Sequence, residues 1–130
     1  MSKRFTDTGK WDKTWIQELL PNHKLFWVYL IDKCDHAGLW EVNVKLAEFQ
    51  LGIKLDLNEL LKVYGDKIQV VNGGSKWFLP GFIDFQYGEL NPSNRVHVSV
   101  LSLLKRYKIQ APCKPLVFLQ KSVLSKETLM

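Results

Sequence analysis

Nine cations carry the clearest chemistry this sequence offers: Lys45, Lys54, Lys62, Lys67, Lys76, Arg95, Lys105, Arg106 and Lys108. Lysine and arginine neutralise phosphates through charge-assisted contacts and displace condensed counterions, so their distribution marks where a polyanion would sit. That distribution is uneven. Residues 1–89 hold 11 Lys+Arg against 12 Asp+Glu, and residues 90–130 hold 7 against 1, a balance of −1 followed by +6 within a net charge of +5. Nucleic acid is one reading of the excess and a solvated basic end without a partner is the other; charge alone favours neither.

Other chemistries find less support. Asp32, Cys34, Asp35 and His36 are all metal-ligand types close in sequence, but they also fit the polar end of a helix before a glycine stop at Gly38, and no second ligand pair at zinc spacing follows. Cys34 and Cys113 form neither a CxxC pair nor a disulfide framework, which points to a reducing compartment. His97 is a lone histidine beside cations, a phosphate contact or simply a solvated ring. The sequence contains no nucleophile elbow, phosphate loop, HExxH or paired catalytic carboxylates, so the expectation is a non-enzymatic protein with no metal and no cofactor. MSKRFTDTGKW lacks the apolar stretch of a secretory signal, and no run approaches the ~18 apolar residues of a membrane span. A cytoplasmic protein with no membrane partner is expected.

The elements that must position these cations follow from periodicity and capping. Residues 1–10 are polar and predict a loosely held start. Trp15, Ile16, Leu19 and Leu20 give a short helix over 13–20, ended by Pro21-Asn22. HKLFWVYLIDKCD is apolar almost all round and predicts a central buried helix, capped by Asn22 and stopped near Gly38. Residues 39–42 suggest a short strand. Asn43 then caps a helix over 44–51 with Val44, Ala47 and Leu51 on one face, and Gly52 ends it. Asp56 caps a second helix with Leu57, Leu60, Leu61 and Tyr64 at i, i+3, i+4 and i+7, stopped at Gly65-Asp66.

Residues 67–71 and 76–79 read as the strands of a hairpin around Asn72-Gly73-Gly74-Ser75; Pro80 and Gly81 close the return strand, which puts the hairpin at a sheet edge. Lys67 and Lys76 flank that glycine-rich tip. Phe82, Phe85 and Tyr87 fall in a turn or single helical turn. The last element alternates at RVHVSV like a strand, yet Val96, Val100, Leu103, Leu104 and Tyr107 follow helical spacing, and length decides for a helix capped by Asn91 with Pro92 in its first turn. Its opposite face carries Arg95, Ser99, Ser102 and Arg106. The five tryptophans, Trp11, Trp15, Trp27, Trp40 and Trp77, are expected in the core rather than as base-stacking platforms.

Helix, strand, two helices, hairpin, helix is the element order of a winged helix-turn-helix. The expected class is therefore α+β, mostly α, with a β-hairpin wing and a C-terminal helix; residues 1–108 form the domain and 109–130 a tail or linker. The runs KRFTDTGKW, LFWVYLIDKCDHAGLW, GDKI and KWFLPGFIDFQYGELNPSNRVHVSVLSLLKRY, spread over residues 3–107, resemble the N-terminal winged-helix domain of phage and prophage replication initiation proteins, the replisome-organiser and DnaD-like group. The resemblance implies DNA replication as the setting and an origin as the place of action. In that family a C-terminal part handling single strands or the replicative helicase follows, and a chain ending at Met130 is expected to lack it.

A recognition helix normally presents Arg, Lys, Asn or Gln to base edges, but residues 56–64 offer only Asp56, Asn58, Glu59 and Lys62. The expected activity is thus DNA binding, to double-stranded DNA, mainly through the phosphate backbone. The alternative is a protein–protein interaction or oligomerisation module that holds itself or another replication protein without direct DNA readout.

Overall fold

The computed structural model describes residues 3–109 and divides the chain into two compact units, Met1–Leu79 and Pro80–Met130. The architecture is α+β, mostly helical, with one small three-stranded antiparallel sheet. Among the described residues no helix is long and apolar enough to cross a membrane. The expected tail over 109–130 lies, apart from Ile109, outside the described residues.

The first unit opens on ordered backbone rather than the loose start expected. Asp7 accepts from the Gly9 N–H at 3.0 Å and so caps a 3-10 turn, Thr8–Asp12. Arg4 fixes the segment further, donating to the carbonyls of Ile31 at 2.7 Å, Asp32 at 3.1 Å and Cys34 at 2.5 Å. Those acceptors are the unpaired carbonyls of a helix C-terminus, where a cation is favoured. Composition hid this anchor because its partners are backbone atoms remote in sequence.

Helix α1 (Thr14–Gln17) is shorter than expected and is followed by α2 (Pro21–Lys33). Asn22 does not cap α2. Leu20 holds the cap position without a side-chain bond and Pro21 occupies the first turn, where its missing N–H has no intrahelical acceptor to lose. Helix α2 does form the centre of the core: Phe26 and Leu30 are fully buried, and Phe26 packs edge-on to Trp40 at 5.5 Å and Trp77 at 6.3 Å between ring centroids. Trp40 and Trp77 are buried, Trp15 and Trp27 half-buried and in contact with each other at 5.0 Å, whereas Trp11 is exposed, contrary to the expectation of five core tryptophans.

Strand β1 (Leu39–Glu41) leads to α3 (Val44–Leu51) and α4 (Leu57–Tyr64), both at the boundaries their caps predict. Strands β2 (Gln69–Val71) and β3 (Lys76–Phe78) form the hairpin, and the sheet order is β1-β3-β2. Trp77 faces Trp40 on one side and Val70 on the other. The hairpin thus lies at a sheet edge through β2, as expected, while its return strand β3 is central. Pro80 imposes no edge because it follows the strand and starts a helix instead.

That helix begins the second unit. The aromatic turn expected near Phe82 is a full helix, α5 (Pro80–Tyr87), with proline again in the first turn. Helix α6 (Arg95–Arg106) starts later than expected, because Asn94 rather than Asn91 caps it, accepting from the N–H groups of Val96 at 2.9 Å and His97 at 3.3 Å. Asn91 instead accepts from Ser93 and closes the turn containing Pro92. Val100 and Leu104 are buried as predicted, but Val96, in the first turn, stays about half exposed at 51%.

Candidate nucleic-acid interface

The joint between α3 and α4 is held by its own polar groups. Asn43 Oδ1 accepts from the Leu46 N–H at 3.1 Å, and Gly52 takes φ 74°, a left-handed conformation costly for any residue with a Cβ. Glu48 Oε2 then accepts from the Leu55 N–H at 2.7 Å across the link, and Asp56 Oδ1 accepts from Asn58 and Glu59 at 3.0 and 3.3 Å. Two of the acidic groups near this joint, Glu48 and Asp56, are thereby turned onto backbone donors. Glu59 is also engaged, its Oε2 lying 3.4 Å from Nε2 of the buried His23. A cleft of about 360 Å³ opens there, lined among others by His23, Lys54, Asp56 and Glu59.

Lys45, Lys54 and Lys62 are exposed on α3, the link and α4, and form no ion pair among the described residues. Lys67 is differently placed. It is half-buried before β2, its Nζ 3.5 Å from Asp66 and 5.2 Å from the centroid of the Trp15 ring, so it does not flank the hairpin tip as the sequence suggested. A cation over an indole face is held by the ring quadrupole. Lys76 does adjoin the tip, opposite Val71 on one strand and Glu41 on the other. The tip is a 3-10 turn, Asn72–Gly74, in which Asn72 and Gly73 take φ of 53° and 66° and Ser75 Oγ donates to the Asn72 carbonyl at 2.9 Å.

In the second unit, Arg95, Ser99, Ser102 and Arg106 form one exposed face of α6, as their spacing predicts, and Lys105 and Lys108 are exposed beside its C-terminal end. His97 does not extend that set. Its Nδ1 accepts from the Asn91 N–H at 2.8 Å and its ring meets Tyr87 edge-on at 5.3 Å, so it fastens the α5–α6 connection.

No family model, curated protein or solved structure matches this chain.

Two of the residues weighed as metal ligands, Asp35 and Cys34, have other roles. Asp35 Oδ1 accepts from the Ala37 and Leu39 N–H groups at 2.9 and 3.0 Å, and Cys34 is buried with the Arg4 guanidinium 3.5 Å from its sulfur. Burial pushes the Cys34 thiol up to about 12, far from nucleophilic. Among the described residues, no three His, Cys, Asp or Glu side chains converge on a point that could hold a metal ion. Two side chains outside the predicted set stand out. Arg4 joins the amino-terminal segment to α2, and Phe49 on α3 is 85% exposed. The helical spacing of Val44, Ala47 and Leu51 already set Phe49 on the opposite face of α3.

Proposed function

We propose that this chain is a non-enzymatic DNA-binding module, a winged helix-turn-helix of the kind found in phage-type replication initiation proteins, that holds duplex DNA chiefly through its phosphates. The observation that carries the reading is the joint from Asn43 to Asp56 followed by a hairpin: two eight-residue helices and a wing, in winged-helix order. The free cations on α3, the link and α4, and the cationic face of α6, supply the charge. The resemblance of its sequence runs to replisome-organiser proteins supplies the setting.

Backbone contact dominates this reading because α4 has little with which to read bases. Asp56 is spent as a cap and Glu59 is engaged by His23, which leaves Asn58 and Lys62 as its exposed polar side chains without a side-chain partner among the described residues. Phosphate contacts fix position and orientation without carrying sequence information.

Fluorescence anisotropy of a labelled duplex, titrated across salt with the mass measured on the same sample, tests the proposal. Affinity should fall steeply with salt, and Arg95→Glu with Arg106→Glu should weaken it and flatten the salt slope by about 0.9 per lost phosphate contact. Absence of duplex binding at ~50 mM salt rejects it. A stable assembly that binds no DNA would favour a protein-interaction module instead.

A further inference from the structure

We propose that the outward stripe of α3 is a stacking site for an unpaired nucleic-acid base, with Phe49 as the platform and Lys45 placed for the adjoining phosphate. The proposal rests on the nucleic-acid reading above and sharpens it, adding strands with unpaired bases to the duplex as ligand.

Among the described residues Phe49 has the highest exposure of the large apolar side chains, 85%, and Leu46 on the preceding turn is 44% exposed. Lys45 lies four residues before Phe49, so their Cβ atoms are neighbours on one helix face, ~5–6 Å apart. The acid next to Phe49 in sequence, Glu48, accepts from the Leu55 N–H, and the Gln50 Oε1 is taken by the Tyr29 hydroxyl. What remains outward is an aromatic ring, a leucine and Lys45, a cation without an ion pair among the described residues. Positive charge beside an exposed aromatic ring is the composition of a single-strand platform, where bases stack and phosphates run along the cations.

Size argues against a protein occupant. A stable protein interface buries roughly 800 Å² per partner, drawn from some 20–30 residues, whereas an aromatic side chain supplies only about 150–250 Å². One phenylalanine and one leucine fall well short of that, yet they match the face of one or two bases. In an intact duplex the base faces are already stacked on each other, and Phe49 could reach them only by unstacking a step, which is costly. The ligand this stripe fits is therefore a flexible single strand.

The test compares wild type, Phe49→Ala and Phe49→Tyr on a labelled oligo-dT, the same strand with abasic sites, and a duplex of equal length. Phe49→Ala should weaken oligo-dT binding by about tenfold, within the range for loss of one stacked base, and leave duplex binding within about twofold. Phe49→Tyr should retain wild-type affinity, and Phe49→Ala should no longer distinguish oligo-dT from the abasic strand. Equal oligo-dT affinity of wild type and Phe49→Ala overturns the proposal while the duplex reading stands. An equal loss on duplex and single strand overturns it as well, as does conversion of an assembled species to monomer by Phe49→Ala, which would make Phe49 a protein contact. If wild type binds neither strand nor duplex, the nucleic-acid reading fails together with it.

Discussion

The Tyr64 hydroxyl donates to the main-chain carbonyl of His23 at 2.7 Å, joining the last turn of α4 to the first turn of α2 across 41 residues of sequence. Five residues earlier on α4, Glu59 meets the His23 ring. Burial raises the Tyr64 phenol, which keeps the donor proton in place. Tyr64→Phe removes one buried hydrogen bond and little volume, so it should lower unfolding stability by about 1 kcal/mol. A urea melt with an unchanged slope and a lower midpoint is the expected result.

Arg4 is the clasp at the other end of α2. Arg4→Ala leaves the carbonyls of Ile31, Asp32 and Cys34 without a charged donor and should cost about 1–3 kcal/mol. Losing the guanidinium also removes a charge that favours the Cys34 thiolate, so the faster alkylation expected of Arg4→Ala, read at about pH 8 in a Cys113→Ser background so that one thiol reports, reflects opened access rather than a better nucleophile. Unchanged labelling would mean that Arg4 does not gate access to Cys34.

The same thiol sets a pH dependence. Its folded value, about 12, lies above the ordinary 9.0 because burial disfavours the thiolate. Above pH 9 the unfolded chain releases this proton while the folded chain keeps it, so stability is fully present below that point and falls as pH rises toward 12. Tyr29 and Tyr64, both raised from 10.0 by burial, add the same sign at higher pH. Urea midpoints measured upward from neutral pH should decline in that alkaline window, less steeply in Cys34→Ala.

Gly52 holds the α3 C-cap at φ 74° with open space around its missing side chain. Gly52→Ala should therefore cost about 1–2 kcal/mol through backbone conformation rather than a clash. If that joint presents the DNA-binding surface, duplex affinity should fall along with the thermal midpoint.

Much of the joint was legible in the chain itself. Asn43, Gly52 and Asp56 act on their own neighbours within a few residues, so α3 and α4 have the boundaries that local chemistry dictates. The hairpin tip was legible for the same reason, since Asn72, Gly73 and Gly74 are the residue types that accept its positive φ angles. Capping of α6 was misread because Asn91 and Asn94 compete for one role, and local pattern does not rank them.

Sequence by itself determined the caps of α3 and α4, the turn residues, the helix faces and the charge asymmetry, all of which depend on interactions between near neighbours. Tertiary structure decided what depends on distant partners. It placed β3 in the centre of the sheet, gave Arg4 its carbonyls, laid Lys67 over Trp15 and bound His97 to Asn91. A cation's availability is thus settled by the folded chain, because a lysine over an indole and a lysine in solvent are the same letter in the sequence.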